Sequence, residues 1–236
     1  MKGSGKGAAV VVGASGGIGA SLEAALIDEG SFDVIHGFAR SRNGSQHLDL
    51  EDEASIAAAA AHVAQGPQPS LVIVATGLLH AADRSPEKAL RELDPIWLAK
   101  VHAVNAIGPA LVAKHFLPIM PNSGRTVFAA LSARVGSIAD NRLGGWHGYR
   151  ASKAALNMLV RTLAIEERRR NARAIVVALH PGTVDTALSR PFQANVQPGR
   201  LFGPERAALQ LLDVIEELNP SDSGNLFDFE GKEIAF

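Results

Sequence analysis

The chain has 236 residues, 47% of them hydrophobic, which is enough to bury the core of one large domain. Its 23 Lys and Arg residues nearly balance its 24 Asp and Glu residues, so no broad field would attract nucleic acid or an anionic membrane. It has no Cys, which excludes disulfides, thiolate nucleophiles and cysteine zinc sites and fits a reducing compartment.

Short apolar runs rich in β-branched residues alternate along the chain with stretches of helical periodicity. The runs lie at Ala8–Val12, 32–38, 71–75, Thr126–Leu131 and 174–179, with weaker ones at 46–49 and 225–229. The helical stretches lie at Gly17–Glu29, 51–64, 95–117, 148–169 and 204–218. This pattern predicts an α/β fold: a single Rossmann-type domain over residues 1–236, a doubly wound parallel sheet of about seven strands in the order 3-2-1-4-5-6-7, with helices on both faces.

The N-terminal segment, residues 1–7, carries two lysines, but the apolar run after it is short and is broken by glycines. That is not the pattern of a signal peptide. No stretch reaches the roughly 18 to 20 uninterrupted apolar residues that cross a bilayer. We therefore expect a cytoplasmic protein that binds neither membrane nor nucleic acid.

A glycine-rich turn joins the first strand to the first helix, with the spacing Gly-x-x-x-Gly-x-Gly. Glycine permits a tight turn and close backbone approach to a pyrophosphate, whose charge the amides of a helix N-terminus attract. An ordinary turn is the alternative, but the position between strand and helix favours a dinucleotide site. The expected contacts are Gly13, Ser15, Gly17, Ile18 and Gly19.

The choice of dinucleotide is made about 20 residues further on, at the end of the second strand. An acidic residue there would bind two ribose hydroxyls and repel a 2′-phosphate, whereas this chain has Arg40 and Arg42. An arginine fork can pair with that phosphate. The sequence favours NADP(H) over NAD(H), with Arg40 as the leading contact and Arg42 second; a solvated basic loop is the alternative.

Tyr149 is the only tyrosine of the chain, and Lys153 follows it four residues later in a predicted helix, so both lie on one face. A free tyrosine has a pKa near 10. A nearby ammonium and an oxidised nicotinamide would favour the phenolate and bring this pKa closer to the working pH. The phenol could then exchange a proton with a substrate oxygen.

Taken together, these motifs resemble the classical short-chain dehydrogenase/reductase family, and within it the sniffer and C-factor-like carbonyl reductase branch. The resemblance spans nearly the whole chain. Besides the glycine cradle and the Tyr-Lys pair, it is carried by Ser132-Ala133-Arg134-Val135-Gly136-Ser137-Ile138, Gly144-Gly145-Trp146, Pro181-Gly182-Thr183-Val184-Asp185-Thr186 and Asp228-Phe229-Glu230-Gly231.

The resemblance implies an NADP(H)-dependent oxidoreductase that moves a hydride between nicotinamide and a small-molecule carbonyl or secondary alcohol. Tyr149 would be the general acid for reduction and the general base for oxidation, and Lys153 would hold ribose hydroxyls and lower the pKa of the tyrosine. Ser132 would hydrogen-bond the substrate oxygen. Asn105 would position a water in a proton relay from Lys153, unless it is simply an exposed polar residue.

Two serines compete for the catalytic position. Ser132 closes a predicted strand but lies 17 residues before Tyr149, a longer spacing than the family usually shows, whereas Ser137 lies 12 residues before it. An insertion after Ser132 would explain the longer spacing. Ser137 is the fallback, and its alternative role is a hydrogen bond within a turn.

Further cofactor contacts are implied by the resemblance alone. The family's Asn-Asn-Ala-Gly is here Val74-Ala75-Thr76-Gly77, which keeps the glycine and loses the asparagines. Asp49 resembles an adenine contact, although it could equally cap the following helix. The full set of additional contacts is Asp49, Leu50, Ala75, Thr76, Gly77, Pro181, Gly182, Val184 and Thr186, together with Asn105, Tyr149 and Lys153.

Three expectations concern the surroundings of the site. The eight histidines lack the paired spacing of metal ligands, so no metal is predicted. The irregular stretch 187–203 is our candidate for a segment that covers the substrate, although it could simply cross the surface. Trp146 and Phe192 would border the substrate pocket or pack in the core.

Two points follow from the family as a whole. Its members commonly associate through helices corresponding to 95–117 and 148–169, so the resemblance implies a homo-oligomer, a dimer or tetramer. The alternative to an enzyme is an NADP(H)-binding regulatory or signalling protein, C-factor-like, with little turnover. The joint presence of Tyr149, Lys153 and Asn105 favours the enzyme.

Overall fold

The computed structural model describes residues 7–236. Its strands are β1 (Ala8–Val12), β2 (Val34–Phe38), β3 (Pro69–Val74), β4 (Thr126–Leu131), β5 (Ala174–His180), β6 (Thr183–Val184), β7 (Leu201–Phe202), β8 (Leu226–Asp228) and β9 (Glu233–Ile234). Seven of them form one sheet in the order β2-β1-β3-β4-β5-β8-β9, in which only the β8–β9 pair is antiparallel. The predicted Rossmann-type fold is confirmed. Strands β6 and β7 form a separate parallel ladder.

Two helical layers cover this sheet. The helices are α1 (Gly17–Glu29), α2 (Glu53–Val63), α3 (Pro95–His102), α4 (Gly108–Phe116), α5 (His147–Arg170) and α6 (Pro204–Glu217). Successive side chains of a strand point to opposite faces, and β1 shows the result. Val10 and Val12 pack in a core with α2, α4 and α5, whereas Ala9 and Val11 pack in a second core with α1 and α6.

The predicted third strand does not form. Residues Gly44–Gln46 make a 3₁₀ turn, and only His47 pairs with the chain, through a single bridge to Ala39 beside β2. Two backbone hydrogen bonds join this bridge, from the amide of Ala39 to the carbonyl oxygen of Gln46 and from the amide of Leu48 to the carbonyl oxygen of Ala39, and His47 Nδ1 lies 3.1 Å from the carbonyl oxygen of Arg40. The outer strand β9, on the opposite edge, was not predicted from the sequence.

The predicted helix 95–117 is interrupted. A π-helical turn, Ala103–Ile107, separates α3 from α4. By length and composition the stretch Pro95–Ile119 could cross a membrane, although polar residues interrupt it. Here its apolar residues Val112 and Phe116 are fully buried in the core, as they are in the interior helix of a folded domain.

The prediction that the chain has no signal peptide rests on residues 1–7. Of these, only Gly7 belongs to the described residues.

Candidate active site

A crevice runs along the carboxyl ends of the parallel strands, where doubly wound sheets bind ligands. It consists of three adjoining spaces. The cradle-side cavity, about 390 Å³, lies between the glycine turn and the chain after β2. The central cavity, about 200 Å³, lies between that turn and the first turns of α5, and the apolar cavity, about 430 Å³, lies beyond it. Thr76 lines the first two cavities and Tyr149 the last two, so neighbouring cavities share a wall.

The glycine turn is built so that backbone can approach a ligand closely. Gly13 has a φ of 92°, and a Cβ there would lie 2.8 Å from the carbonyl oxygen of Ala75. A Cβ on Gly17 would lie 2.8 Å from Thr186 Cγ2, across the central cavity. Helix α1 has no side-chain cap and no acidic residue in its first turn. Its first amides are therefore free to meet an anion such as a pyrophosphate.

Not every predicted cradle residue faces the crevice. Ser15 lines the cradle-side cavity, and Ile18 lines the central and apolar cavities. Gly19 is buried beneath the turn, where a Cβ would overlap the carbonyl oxygen of Gly13 at 2.1 Å. Gly19 therefore shapes the cradle and lines none of the three cavities.

The two candidate arginines have different surroundings. Arg42 is tied to α1, with Nη1 2.9 Å from Glu23 Oε1 and 2.7 Å from the carbonyl oxygen of Gly37. Hydrogen bonding to Glu23 raises the pKa of Arg42 above that of a free arginine. Arg40 is exposed and lines the cradle-side cavity. Of the two arginines, Arg40 is therefore the one that is available to a phosphate in this cavity.

Asp49 and Leu50 line the same cavity as Arg40. The N-cap of α2 is Asp52, whose carboxylate accepts from the amide of Ala54 at 3.0 Å. Asp49 is therefore not the helix cap, and its carboxylate accepts from the amide of Glu51 at 3.1 Å. Of the two roles predicted for Asp49, the cap is wrong.

The chain after β3 forms the floor between the cradle-side and central cavities, through Ala75, Thr76 and Gly77. The Thr76 hydroxyl is buried and lacks a hydrogen-bond partner in the described part of the chain. Buried polar atoms seldom stay unpaired, so this hydroxyl suits a polar ligand in the crevice. The orphaned hydroxyl, the glycine cradle and the free helix amides all fit a dinucleotide.

Tyr149 and Lys153 lie in the first turns of α5, both buried, with Lys153 Nζ 5.9 Å from the centre of the Tyr149 ring. Nζ donates to the carbonyl oxygen of Leu131 at 2.7 Å. Burial raises the pKa of Tyr149 to about 12 and lowers the pKa of Lys153 to about 7. In the protein by itself, Lys153 therefore does not lower the pKa of the tyrosine as we expected, because desolvation dominates both groups. Tyr149 is a protonated phenol at neutral pH.

The structure distinguishes the two serines. Ser132 lines the central and apolar cavities with Tyr149, and its hydroxyl donates to Asn157 Oδ1 at 2.7 Å. Ser137 lies away from both cavities, where its hydroxyl bonds the carbonyl oxygen of Ala235 and accepts from the amide of Asp140 at 3.0 Å. Ser132 is thus near the phenol, and Ser137 holds the C-terminal chain.

Asn105 is fully buried in the π-helical turn behind the central cavity. Its Oδ1 accepts from the amide of Leu78 at 2.7 Å, and its Nδ2 donates to the carbonyl oxygen of Leu78 at 2.8 Å and to Ser152 Oγ at 3.0 Å. The alternative of an exposed polar residue is wrong. Asn105 fastens the chain after β3 to α5, and both its Oδ1 and Lys153 Nζ lie 4.0 Å from where a Cβ on Gly77 would be.

The chain after β5 closes the crevice. Pro181 and Thr186 line the central cavity, while Gly182 and Val184 line the apolar cavity. The predicted covering segment 187–203 is more ordered than expected, because it contains a 3₁₀ turn, Arg190–Asn195, and its base is fixed by the β6–β7 ladder.

An aromatic wall, Trp146 and Phe192, borders the apolar cavity beside Tyr149. The Trp146 ring centre lies 6.3 Å from that of Tyr149 and 5.1 Å from that of Phe192. Phe192 also packs against His80, whose Nε2 lies 3.2 Å from the carbonyl oxygen of Ala187. Both aromatic residues thus line the cavity and also pack against the small apolar cluster that contains Tyr149, so both expectations match their positions.

No group of three or more His, Asp or Glu residues within residues 7–236 is arranged to hold a metal ion.

Comparison with known proteins tests the resemblance. A family model described as enoyl-(acyl carrier protein) reductase, of the short-chain dehydrogenase type, matches residues 13–202. The chain is 30% identical over 232 residues to 1-hydroxy-2-glutathionyl-2-methyl-3-butene dehydrogenase of Rhodococcus sp. (strain AD45), covering 94% of this chain and 96% of that protein. The chain belongs to the short-chain dehydrogenase/reductase family.

Other family members agree with the predicted branch. C-signal of Myxococcus xanthus is 36% identical over 148 residues, which are 63% of this chain and 84% of that protein. The NADPH-bound carbonyl reductase from chicken fatty liver superposes with a TM-score of 0.80 at 26% identity, covering 97% of this chain and 94% of that one. The carbonyl reductase Sniffer of D. melanogaster shares the fold, with a TM-score of 0.78 at 21% identity over 98% and 99% of the two chains.

The sequence reasoning missed several residues of this family member's site. Asn157, which accepts from Ser132, follows Lys153 by one helical turn, so the spacing Tyr149, Lys153, Asn157 along one helix face was a usable signal. Leu79 and His180 also line the apolar cavity. They come from chain segments whose approach to α5 depends on tertiary packing, and no local pattern marks them.

Proposed function

We propose that this family member is an NADP(H)-dependent oxidoreductase that reduces a carbonyl compound or oxidises the corresponding secondary alcohol. The observation that carries this proposal is the buried Tyr149 phenol, which lies beside Ser132 where the central cavity meets the apolar cavity. The NADPH-bound carbonyl reductase from chicken fatty liver supports both the cofactor and the reaction class.

The protein's own groups would handle the substrate oxygen. When bound, the nicotinamide supplies the hydride for reduction or accepts it in oxidation. Tyr149 is protonated at neutral pH, so its phenol can donate a proton to a carbonyl oxygen as charge develops there. The hydroxyl of Ser132, held by Asn157, would rotate about its Cβ–Oγ bond to donate a second hydrogen bond to the same oxygen.

Lys153 and Asn105 would restore the proton of Tyr149. A lysine whose pKa lies at about 7 exchanges its proton readily near neutral pH. Its Nζ and Asn105 Oδ1 both approach Gly77, which opens onto the central cavity. We propose that a water held by Asn105 continues this path to solvent.

Arg40 would select NADP(H) over NAD(H). It lines the cradle-side cavity, whereas Arg42 is bound to Glu23 of α1, and a 2′-phosphate is the group that the donors of its guanidinium would pair. Ser15, Asp49 and Leu50 would complete the binding of that end of the cofactor.

The substrate would be a small molecule with an apolar or aromatic substituent. Trp146, Phe192 and Leu79 line the cavity beside Tyr149, and apolar walls hold apolar groups. The segment 187–203 would cover the bound substrate, since Leu188 and Val196 also line this cavity.

A second candidate function is NADP(H)-dependent regulation or signalling with little turnover. The observation that favours it is the similarity to C-signal of Myxococcus xanthus. For either function we propose a cytoplasmic homo-oligomer, a dimer or tetramer. Exposed apolar side chains on the helices the family uses for association, Ile96 and Ile107 on one helical stretch and Met158 and Ile165 on the other, support that association.

The test is a spectrophotometric assay. The purified protein is mixed with NADPH and a panel of aldehydes, aliphatic ketones and aromatic ketones, and the loss of NADPH absorbance is followed. An enzyme turns over at least one member of the panel repeatedly. Saturable NADPH binding without turnover on any member would support the signalling candidate instead.

A further inference from the structure

Helix α5 begins without a cap of its own. The N-cap position is Trp146, whose side chain makes no capping hydrogen bond, and the first turn holds no acidic residue. Trp146 also has a φ of 50°, and it is the one non-glycine residue with a positive φ in the described chain. Left-handed backbone is unfavourable for a residue with a Cβ, so the surroundings must hold this turn in place. The same first turn carries Tyr149.

Glu87, in the loop between β3 and α3, supplies the capping acceptor that α5 lacks. It is only 3% exposed, and its Oε2 accepts from the amide of Gly148, 61 residues later, at 3.1 Å. Its backbone carbonyl oxygen accepts from the amide of Trp146. One residue therefore holds the chain on both sides of the strained turn.

The fit around this carboxylate is tight. A Cβ on Gly148 would lie 3.0 Å from Glu87 Oε1 and 3.0 Å from Leu98 Cδ2. Oε1 is buried and has no hydrogen-bond partner within residues 7–236. A buried carboxylate is costly unless its charge is compensated, and the positive end of a helix dipole supplies compensation. Burial of this carboxylate therefore costs free energy that an ordinary loop contact would not.

The position of Glu87 matters because the turn that it holds carries the ring of Trp146. The ring of Trp146 stands on the wall of the apolar cavity, next to Tyr149 and Phe192. Glu87 itself lines none of the three cavities. Its influence therefore reaches the substrate end of the crevice through Trp146 and α5.

We propose that Glu87 is a positioning residue, which caps α5 from outside the helix and thereby sets the Trp146 wall against which the substrate binds. This rests on the proposed function, because the wall is taken to contact substrate. Glu87 acts as a hydrogen-bond acceptor for Gly148, and it affects substrate binding much more than cofactor binding.

The test compares variants of two carboxylates in one loop. Glu87→Ala removes the cap, and Glu87→Gln keeps an acceptor of the same reach. Glu87→Asp keeps the charge but is too short to reach Gly148. Glu92→Ala is the matched control, because Glu92 is exposed and accepts from the amide of Lys88 at 2.7 Å in that loop. Readouts are KM and kcat for the carbonyl substrate, Kd for NADPH, and the fluorescence of Trp146 in a Trp97→Phe background.

We expect Glu87→Ala and Glu87→Asp to raise KM about tenfold or more, because the amide of Gly148 is then left without its hydrogen-bond acceptor, with the Kd for NADPH nearly unchanged. Trp146 emission shifts to longer wavelength in both. Glu87→Gln and Glu92→Ala stay within about threefold of the parent. A Glu87→Asp variant that matches the parent while Glu87→Gln fails would overturn the proposal, because the charge alone would then matter.

The remaining outcomes are also decisive. Equal effects of Glu87→Ala and Glu92→Ala on KM and on Trp146 emission would contradict a special role for Glu87. If Glu87→Ala does not fold, the other two variants decide. The proposal requires Glu87→Gln to stay closer to the parent than Glu87→Asp in KM and in Trp146 emission. If the parent protein reduces no carbonyl at all, the proposed function fails, whereas the Trp146 emission of the same variants still tests the cap.

Discussion

The two ends of the crevice differ in whether backbone or side chains form the features suited to a ligand. At the cradle end, the features suited to a ligand belong to the backbone: Gly13 and Gly17 keep the main chain free of side chains, and the start of α1 has no side-chain cap. At the other end, where we propose that the substrate binds, these features belong to side chains: Tyr149, Ser132 and Trp146 line one cavity, and Ser132 comes from a different segment than the other two. A backbone site is specified by a few adjacent residues, whereas a side-chain site depends on how distant elements pack.

This difference predicts that substitutions at the two ends have separable effects. Changes at the substrate end should alter turnover with little effect on cofactor affinity. Changes at the cradle end should alter cofactor affinity with little effect on the chemistry of bound reactants.

The largest effect is expected for Tyr149→Phe. Removal of the phenol hydroxyl deletes the proton donor, and general acid catalysis contributes about 10²- to 10⁴-fold, so kcat should fall by that factor. The hydroxyl is not part of the cradle, so the Kd for NADPH, measured by fluorescence titration, should stay within about twofold. A variant that keeps its kcat would remove Tyr149 from the chemistry.

Ser132→Ala comes next. Loss of one hydrogen bond to a developing oxyanion typically costs about 10²- to 10³-fold in kcat. Ser137→Ala is the matched control: its hydroxyl ties the chain to Ala235 and to the amide of Asp140, so it should lower the melting temperature and leave kcat nearly unchanged. A larger kcat loss in Ser137→Ala would assign the catalytic hydroxyl to the other serine.

At the cradle end, Arg40→Ala should weaken NADPH binding about tenfold and leave NADH binding unchanged, because only NADPH carries the 2′-phosphate. Calorimetric titration with both cofactors measures this. Arg42→Ala serves as the comparison, since that side chain is bound to Glu23 and Gly37, and it should reduce stability more than it reduces NADPH preference. Equal loss of preference in both variants would contradict the assignment to Arg40.

The last prediction concerns the pH dependence of stability and leaves the kinetic comparison of the two ends unchanged. The pKa of Lys153 is about 7 in the folded protein and 10.5 ordinarily, so between these values the unfolded chain holds a proton that the folded protein lacks. The free energy of unfolding should therefore rise with pH across that range, by linkage. Urea unfolding at pH 7 and pH 9 tests it against Lys153→Met, which should lose this dependence. Tyr149, with its pKa raised from 10.0, opposes this only above pH 10.

The sequence predicted most of the fold and the cradle because those features are local. Strand β1, the glycine turn and α1 occupy consecutive residues, and each needs a particular residue type at a particular place. The strand predicted at 46–49 was wrong because the 3₁₀ turn Gly44–Gln46 leaves room for only one bridge, between His47 and Ala39, and a single bridge is too short to be a strand. The π-helical turn around Asn105 has no period that separates it from the α-helix on either side.

The substrate end was predicted less completely, for the same physical reason. The Tyr149 and Lys153 pair shares one helix face, so its spacing was readable. Glu87 lies in a loop with no such pattern, and nothing in its neighbours shows that it would be buried under the start of α5. The serine could be chosen only when the strand ends were placed in space.

The most direct test of the proposed chemistry follows the hydride itself. The protein is incubated with NADPH that carries deuterium at both C4 positions of the nicotinamide and with a carbonyl compound from the panel, and the product is examined by mass spectrometry. We expect an alcohol that carries deuterium on its carbinol carbon with the parent protein, and at least a hundredfold less of it with Tyr149→Phe, the lower end of the effect of a lost general acid. Saturated binding of the labelled cofactor without transfer of deuterium to any carbonyl compound would contradict the enzyme and leave the signalling protein.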